Sequence, residues 1–124
     1  VFYTTVGNKK ILFTGDMEKE EENNIFNKKL YVDILKVPHH GSNSSLGDNF
    51  MKNVSFKTCL ISCGEYNKYK HPSSDTLNKI KYCNYYISYE TGSLTINLES
   101  GKVYKYYSKR KLLNYLDCLT KINT

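Results

Sequence analysis

The sequence predicts an α/β fold built on a mixed sheet, and three observations carry that expectation. Short apolar β-runs alternate with helix-permissive polar stretches through the first two-thirds of the chain. The run Thr58–Ser62 is short and mostly apolar, as a strand buried in a parallel or mixed sheet is. Turn signals at Gly7-Asn8 and at Gly101 add hairpins, and therefore antiparallel neighbours.

Taken in order, Val1 to Val6 reads as a strand, and Ile11-Leu12-Phe13 is its returning partner, stopping at Thr14-Gly15-Asp16. Met17 to Lys29 is helix-permissive. Glu18, Glu20, Glu21 and Glu22 near its start complement the positive end of a helix dipole. Tyr31 to Val37 is a strong strand ended by Pro38, and His39-His40-Gly41-Ser42 follow as a turn. A short helix is expected over Ser45–Val54, then the strand Thr58–Ser62 and a polar loop from Cys63 to His71. Pro72 suits the first position of a helix that Ser73 to Lys81 completes. Tyr85–Ser88 is a further strand, Ser93–Leu98 and Val103–Tyr107 a terminal hairpin. Lys109–Ile122 is an amphipathic helix with Leu112, Leu113, Leu116 and Leu119 on one stripe.

A chain of 124 residues suits a single domain, residues 1–124. No run approaches the roughly 18 apolar residues of a membrane span, and nothing resembles a signal peptide. The start at Val1, without an initiator Met and inside a hairpin, favours a fragment. The net charge of +6 favours anionic partners such as nucleic acid, phosphoesters or a membrane surface. Cys59, Cys63, Cys83 and Cys118 lack paired CxxC spacing, which argues against a zinc ribbon. Cys59 and Cys63 read as small core residues.

Three polar clusters fall just after strand C-terminal ends, where open α/β sheets build their sites. In Ile-Leu-Phe-Thr-Gly-Asp, residues 11–16, a strand delivers the Asp16 carboxylate to the sheet edge, and its two oxygens can bridge two metal ions. The same residue is also a common turn or helix-capping choice. In Leu-Lys-Val-Pro-His-His-Gly-Ser, residues 35–42, two adjacent histidines follow a β-run, and periodicity does not explain them. Imidazole at a rigid strand end suits zinc, manganese or iron. In the loop 64–72, Asn67, Lys68, Lys70 and His71 have the chemistry to grip a phosphate or protonate a leaving group. The plainer reading there is an exposed loop.

The order strand-Thr-Gly-Asp, helix, strand-Pro-His-His-Gly-Ser, helix, strand-Gly-x-x-Asn-x-Tyr-x-His-Pro resembles the metallo-β-lactamase-fold domain of the ComEC competence DNA-uptake family and its stand-alone hydrolase relatives. The resemblance runs from about Val1 to Tyr107. It implies the C-terminal half of an αββα sandwich, a mixed sheet with helices packed on it, in a metal-dependent hydrolase. It places Asp16 as the bridging aspartate of a centre of two divalent ions, zinc or manganese, and His40 as the last ligand, because only His40-Gly41-Ser42 fits a His-x-Ser pattern. His39, Ser42 and Lys70 then stand behind the ligands or face substrate, and His71 and Asn67 border the site as candidate catalytic residues. The implied reaction is cleavage of phosphodiester bonds in DNA.

The family's main ligand motif, His-x-His-x-Asp-His, is absent, and with three histidines the chain cannot fill two metal sites. The chain is either a fragment, with the N-terminal half of the domain as an expected partner, or a degenerate relative, and by itself it is expected to be inactive. A ComEC-type parent would add a membrane channel; a stand-alone relative would be cytoplasmic or secreted. Two rival readings remain: a lactonase or other phosphoester hydrolase on the same fold, and a non-catalytic nucleic-acid-binding module. The second draws on residues 102–111, Lys-Val-Tyr-Lys-Tyr-Tyr-Ser-Lys-Arg-Lys, where basic and aromatic residues interleave.

Overall fold

The computed structural model describes residues 1–107. The helix expected over Lys109–Ile122 lies outside the described residues, as do Cys118 and the end of the basic-aromatic segment. The described residues divide into two units, Val1–Glu90 and the segment that begins at Thr91.

The first unit runs β1 (Phe2–Val6), β2 (Lys9–Phe13), α1 (Lys19–Ile25), β3 (Leu30–Lys36), a 3-10 turn over Pro38–Gly41, α2 (Asp48–Asn53), β4 (Val54–Ile61), α3 (Ser74–Ile80) and β5 (Asn84–Ile87). The strands form one sheet in the order β1-β2-β3-β4-β5, antiparallel between β1 and β2 and parallel beyond. The mixed α/β sheet expected from the alternation is therefore present. Each parallel step moves one place in the same direction. Right-handed crossovers then put α1, α2 and α3 on one face. A single buried cluster agrees, joining Leu12, Leu35 and Cys59 of the strands to Phe26, Phe50 and Ile80 of the helical segments. The register sets Phe2, Phe13, Lys36, Leu60 and Tyr86 in the adjoining row, which faces the other way. There Phe2 is 61% and Phe13 44% exposed.

Several element bounds differ from the expectation, each for a local reason. α1 is shorter than Met17–Lys29. It begins where the Glu21 carboxylate accepts from the Glu18 backbone N–H at 3.1 Å. It ends where Phe26 leaves helical geometry to bury its ring edge-on against Phe50, 5.0 Å between centroids. α2 cannot start at Ser45, because Leu46 has φ 52 and Ser45 Oγ bonds to the Pro38 and Ser42 carbonyls. β4 begins four residues before Thr58, pairing Val54, Ser55 and Phe56 with Leu30, Tyr31 and Val32. Polar Ser55 and Lys57 hid that start, being exposed on the strand. Pro72 stands outside α3, after a cis His71–Pro72 bond, and Ser73 caps the helix by accepting from Thr76 N–H at 3.1 Å. Ser88 does not extend β5. It opens a one-turn helix, α4 (Ser88–Thr91), that the sequence did not suggest.

The described part of the second unit is the expected hairpin, trimmed to β6 (Ser93–Ile96) and β7 (Val103–Tyr106), antiparallel with Ser93 opposite Tyr106. Asn97 builds its turn, its side-chain oxygen accepting from the Glu99 and Ser100 N–H groups at 3.0 and 2.9 Å.

Candidate metal centre

Parallel neighbours β2, β3 and β4 end side by side, so three segments far apart in sequence meet at one sheet edge. Direct bonds stitch them. Thr14 Oγ1 donates to the Lys36 carbonyl at 2.5 Å, His39 N–H to the Gly15 carbonyl at 2.9 Å, and Val37 N–H to the Leu60 carbonyl at 2.8 Å. The turn carrying the histidines is left-handed at three successive residues, φ 47 at His39, 55 at His40 and 82 at Gly41. Only glycine enters that region without steric cost. At Gly41 space is also excluded, since a Cβ would lie 2.6 Å from Pro72 Cβ.

That turn fixes the orientation of His40. Its Nδ1 lies 2.6 Å from the Ser62 carbonyl oxygen. A carbonyl only accepts, so Nδ1 carries the proton, and in the neutral ring Nε2 presents a lone pair. Nε2 faces Asp16 Oδ1 at 3.4 Å. Two acceptors turned toward one another need a positive charge between them, either a second proton on the ring or a cation. The separation suits the cation: ligand bonds of about 2.1 Å at a tetrahedral angle span about 3.4 Å. A histidine ring held through its other nitrogen by a carbonyl is also the usual support of a metal ligand. His40 and Asp16 thus fit two ligand positions. Among the described residues no group of three or more His, Cys, Asp or Glu side chains converges to complete the set.

The other sequence candidates surround this pair. His39 Nδ1 lies 3.2 Å from Glu18 Oε1 and 3.3 Å from Ser44 Oγ, and Ser44 Oγ contacts Ser42 Oγ at 3.0 Å. The His71 ring sits 6.0 Å from that of His39. Burial, then the neighbouring His39 and His40, hold the His71 pKa below its usual value. Asn67 is occupied with the loop. Its amide donates to the Gly64 and His71 carbonyls at 2.8 Å each and accepts from His71 N–H at 2.7 Å. Lys70 is exposed at φ 56. A cavity of about 410 Å³ opens between His40, Asn67, Tyr69 and His71.

Residues missed in the sequence complete the surroundings. Lys36 is half-buried on the row facing away from the helices, Nζ donating to the Val37 carbonyl at 3.0 Å. Burial lowers its pKa, and the Asp16 carboxylate opposes that. Cys63, expected in the core, is only half-buried and lines the cavity. Burial raises its thiol pKa. Glu22, assigned with its neighbours to the helix dipole, is fully buried and accepts from the Leu46 and Gly47 N–H groups at 2.6 and 2.7 Å. None of these had a sequence signal beyond residue type. In the second unit, Lys102 Nζ lies 5.9 Å from the Tyr104 ring centre, the described trace of the basic-aromatic segment.

With this geometry established, comparison with known proteins finds relatives that include a competence protein. No family model matches the chain. It is 37% identical over 83 residues, 65% of its length, to ComE operon protein 3 of Bacillus subtilis (strain 168). It is 30% identical over 123 residues, 90% of its length, to Competence protein ComA of Neisseria gonorrhoeae. It is 33% identical over 75 residues, 60% of its length, to Recombination protein 2 of Haemophilus influenzae. The chain spans 11%, 18% and 9% of those relatives, so it is similar to one segment of each. Competence-related relatives agree with the ComEC-like resemblance of the sequence.

Proposed function

We propose that the chain is part of a metal-dependent hydrolase acting on DNA phosphodiester bonds in competence DNA uptake, and that Asp16 and His40 are two of its metal ligands. The observation that carries this reading is the His40 ring, proton toward Ser62 and lone pair toward Asp16 at a separation a metal ion fits. The remaining ligands come from a partner segment, the N-terminal half of a metallo-β-lactamase sandwich. The exposed row of Phe2 and Phe13 and the one-sided helix layer support a second layer there. Zinc or manganese ions, when bound, would supply Lewis acidity toward the phosphoryl and leaving oxygens.

The chain's own groups do the rest. The Ser62 carbonyl fixes the His40 tautomer. Glu18 and Ser44 orient His39 toward the same edge. His71, its pKa lowered, favours the neutral form and can accept a proton at the cavity wall. Lys36, Lys68 and Lys70 add positive charge for an anionic substrate, in keeping with the net charge of +6. By the ComEC-like resemblance of the sequence, a membrane channel is the proposed neighbour of this part in a longer parent. No helix among the described residues is long and apolar enough to cross a membrane.

The test is manganese- or zinc-dependent cleavage of DNA by the protein together with the partner segment, in wild type, Asp16→Ala and His40→Ala. Both variants are expected to lose at least 100-fold in rate while keeping the fold. Cleavage that survives both substitutions, or that ignores chelator, overturns the assignment.

A further inference from the structure

Tyr69 lies in the loop between β4 and α3. Its ring is 67% exposed, yet it stacks on His71 at 5.6 Å and 18°. The loop beneath is clamped. Asn67 bonds to the backbone at Gly64 and His71, and Lys70 N–H donates to the Asn67 carbonyl at 3.1 Å. An aromatic surface is therefore presented in a fixed place on the wall of the 410 Å³ cavity that His40 also lines. Lys68 Nζ lies over the ring, 4.8 Å from its centre, and exposed Lys70 follows in sequence. An exposed π-face that already attracts an ammonium, with a second lysine next to it in the chain, matches a nucleobase attached to a phosphate, the arrangement by which single strands are held.

We infer that Tyr69 is a substrate-positioning residue that stacks one unpaired base of a single-stranded nucleic acid and so sets the neighbouring phosphate toward His40 and Asp16. A duplex keeps its bases stacked on one another and offers none to Tyr69. The role of the neighbouring phosphate rests on the hydrolase reading; the stacking itself does not.

The experiment is equilibrium binding of a fluorescently labelled 12-nucleotide single strand to the full chain, in chelator and at fixed salt. Tyr69→Ala is expected to weaken binding about 5- to 150-fold, and Tyr69→Phe to restore it. A strand of abasic deoxyribose phosphates is expected to bind wild type and Tyr69→Ala alike, as is a duplex of the same sequence. A Tyr69→Ala affinity within twofold of wild type, or no wild-type binding of the single strand, overturns the inference. Cleavage measured separately divides the two readings. A Tyr69 effect without metal-dependent cleavage removes the hydrolase assignment alone. Intact cleavage with no change in KM for Tyr69→Ala removes this inference alone.

Discussion

His39 and His40 sit at φ 47 and 55, a region that costs a residue with a Cβ about 1–2 kcal/mol. Strain of this kind persists where surrounding bonds over-determine it. Here the bonds from His39 N–H to Gly15 and from His40 Nδ1 to Ser62 do so, and they aim one ring nitrogen at Asp16. Replacing His39 with glycine relieves the strain and gives back part of the gain as unfolded-chain entropy. The variant His39→Gly is therefore expected to be more stable than wild type by up to about 1 kcal/mol, checked by urea unfolding. A loss of stability would mean that the contacts of His39 with Glu18 and Ser44 outweigh the strain. At this scale the position of Asp16, His40 and His71 in loops after β-runs was legible in the sequence, because each follows an apolar run closed by turn residues. Ser62, Ser44, Glu18 and Lys36 were not. A backbone carbonyl, a serine, one glutamate in an acidic run and a strand lysine acquire roles only when the sheet brings them to the same edge.

The helices depend on what they touch. α1 and α2 have seven and six residues, too few to persist in water on propensity alone. Glu22 ties them together by accepting both the Leu46 and Gly47 N–H groups just before α2, with Lys19 and Lys79 charges nearby. Burial nonetheless dominates and holds its carboxyl above the usual 4.5. A carboxyl with a raised folded pKa contributes stability that is full below the unfolded value and is lost as pH rises through the folded one. The stability of wild type relative to Glu22→Gln is expected to fall as pH rises above the usual carboxylate range, read by urea titration at each pH. A relative stability that grows over that rise would contradict the burial account. Glu22→Ala leaves two buried N–H groups unpaired and is expected to cost about 2–5 kcal/mol. The strands were readable because their apolar runs end at Gly, Pro or Asn. The ends of α1, α2 and β4 were not, since Phe26, Leu46 and Val54 are placed by long-range contacts that local pattern does not encode.

The first unit, taken whole, is a sheet with helices on one face, apolar side chains exposed on the other, and its polar residues gathered at the carboxyl ends of β2, β3 and β4. The alternation of strands and helices made the α/β class readable. The registers that bring Thr14-Gly15-Asp16, His39-His40 and Ser62 together were not, because strand order is a property of the assembled sheet. The hydrolase activity proposed for the molecule depends on Asp16 and His40 sharing one cation. The most direct measurement is manganese-induced broadening of NMR signals in the chain together with its partner segment, followed residue by residue as the ion is added in substoichiometric steps. The signals of Gly15, Asp16, His40 and Gly41 are expected to broaden first, those of Val54 and Tyr82 to stay sharp, and Asp16→Asn to abolish the effect. Broadening centred on Glu20 and Glu21, or spread evenly over the chain, would show that the ion goes to surface carboxylates and that the pair is no metal centre.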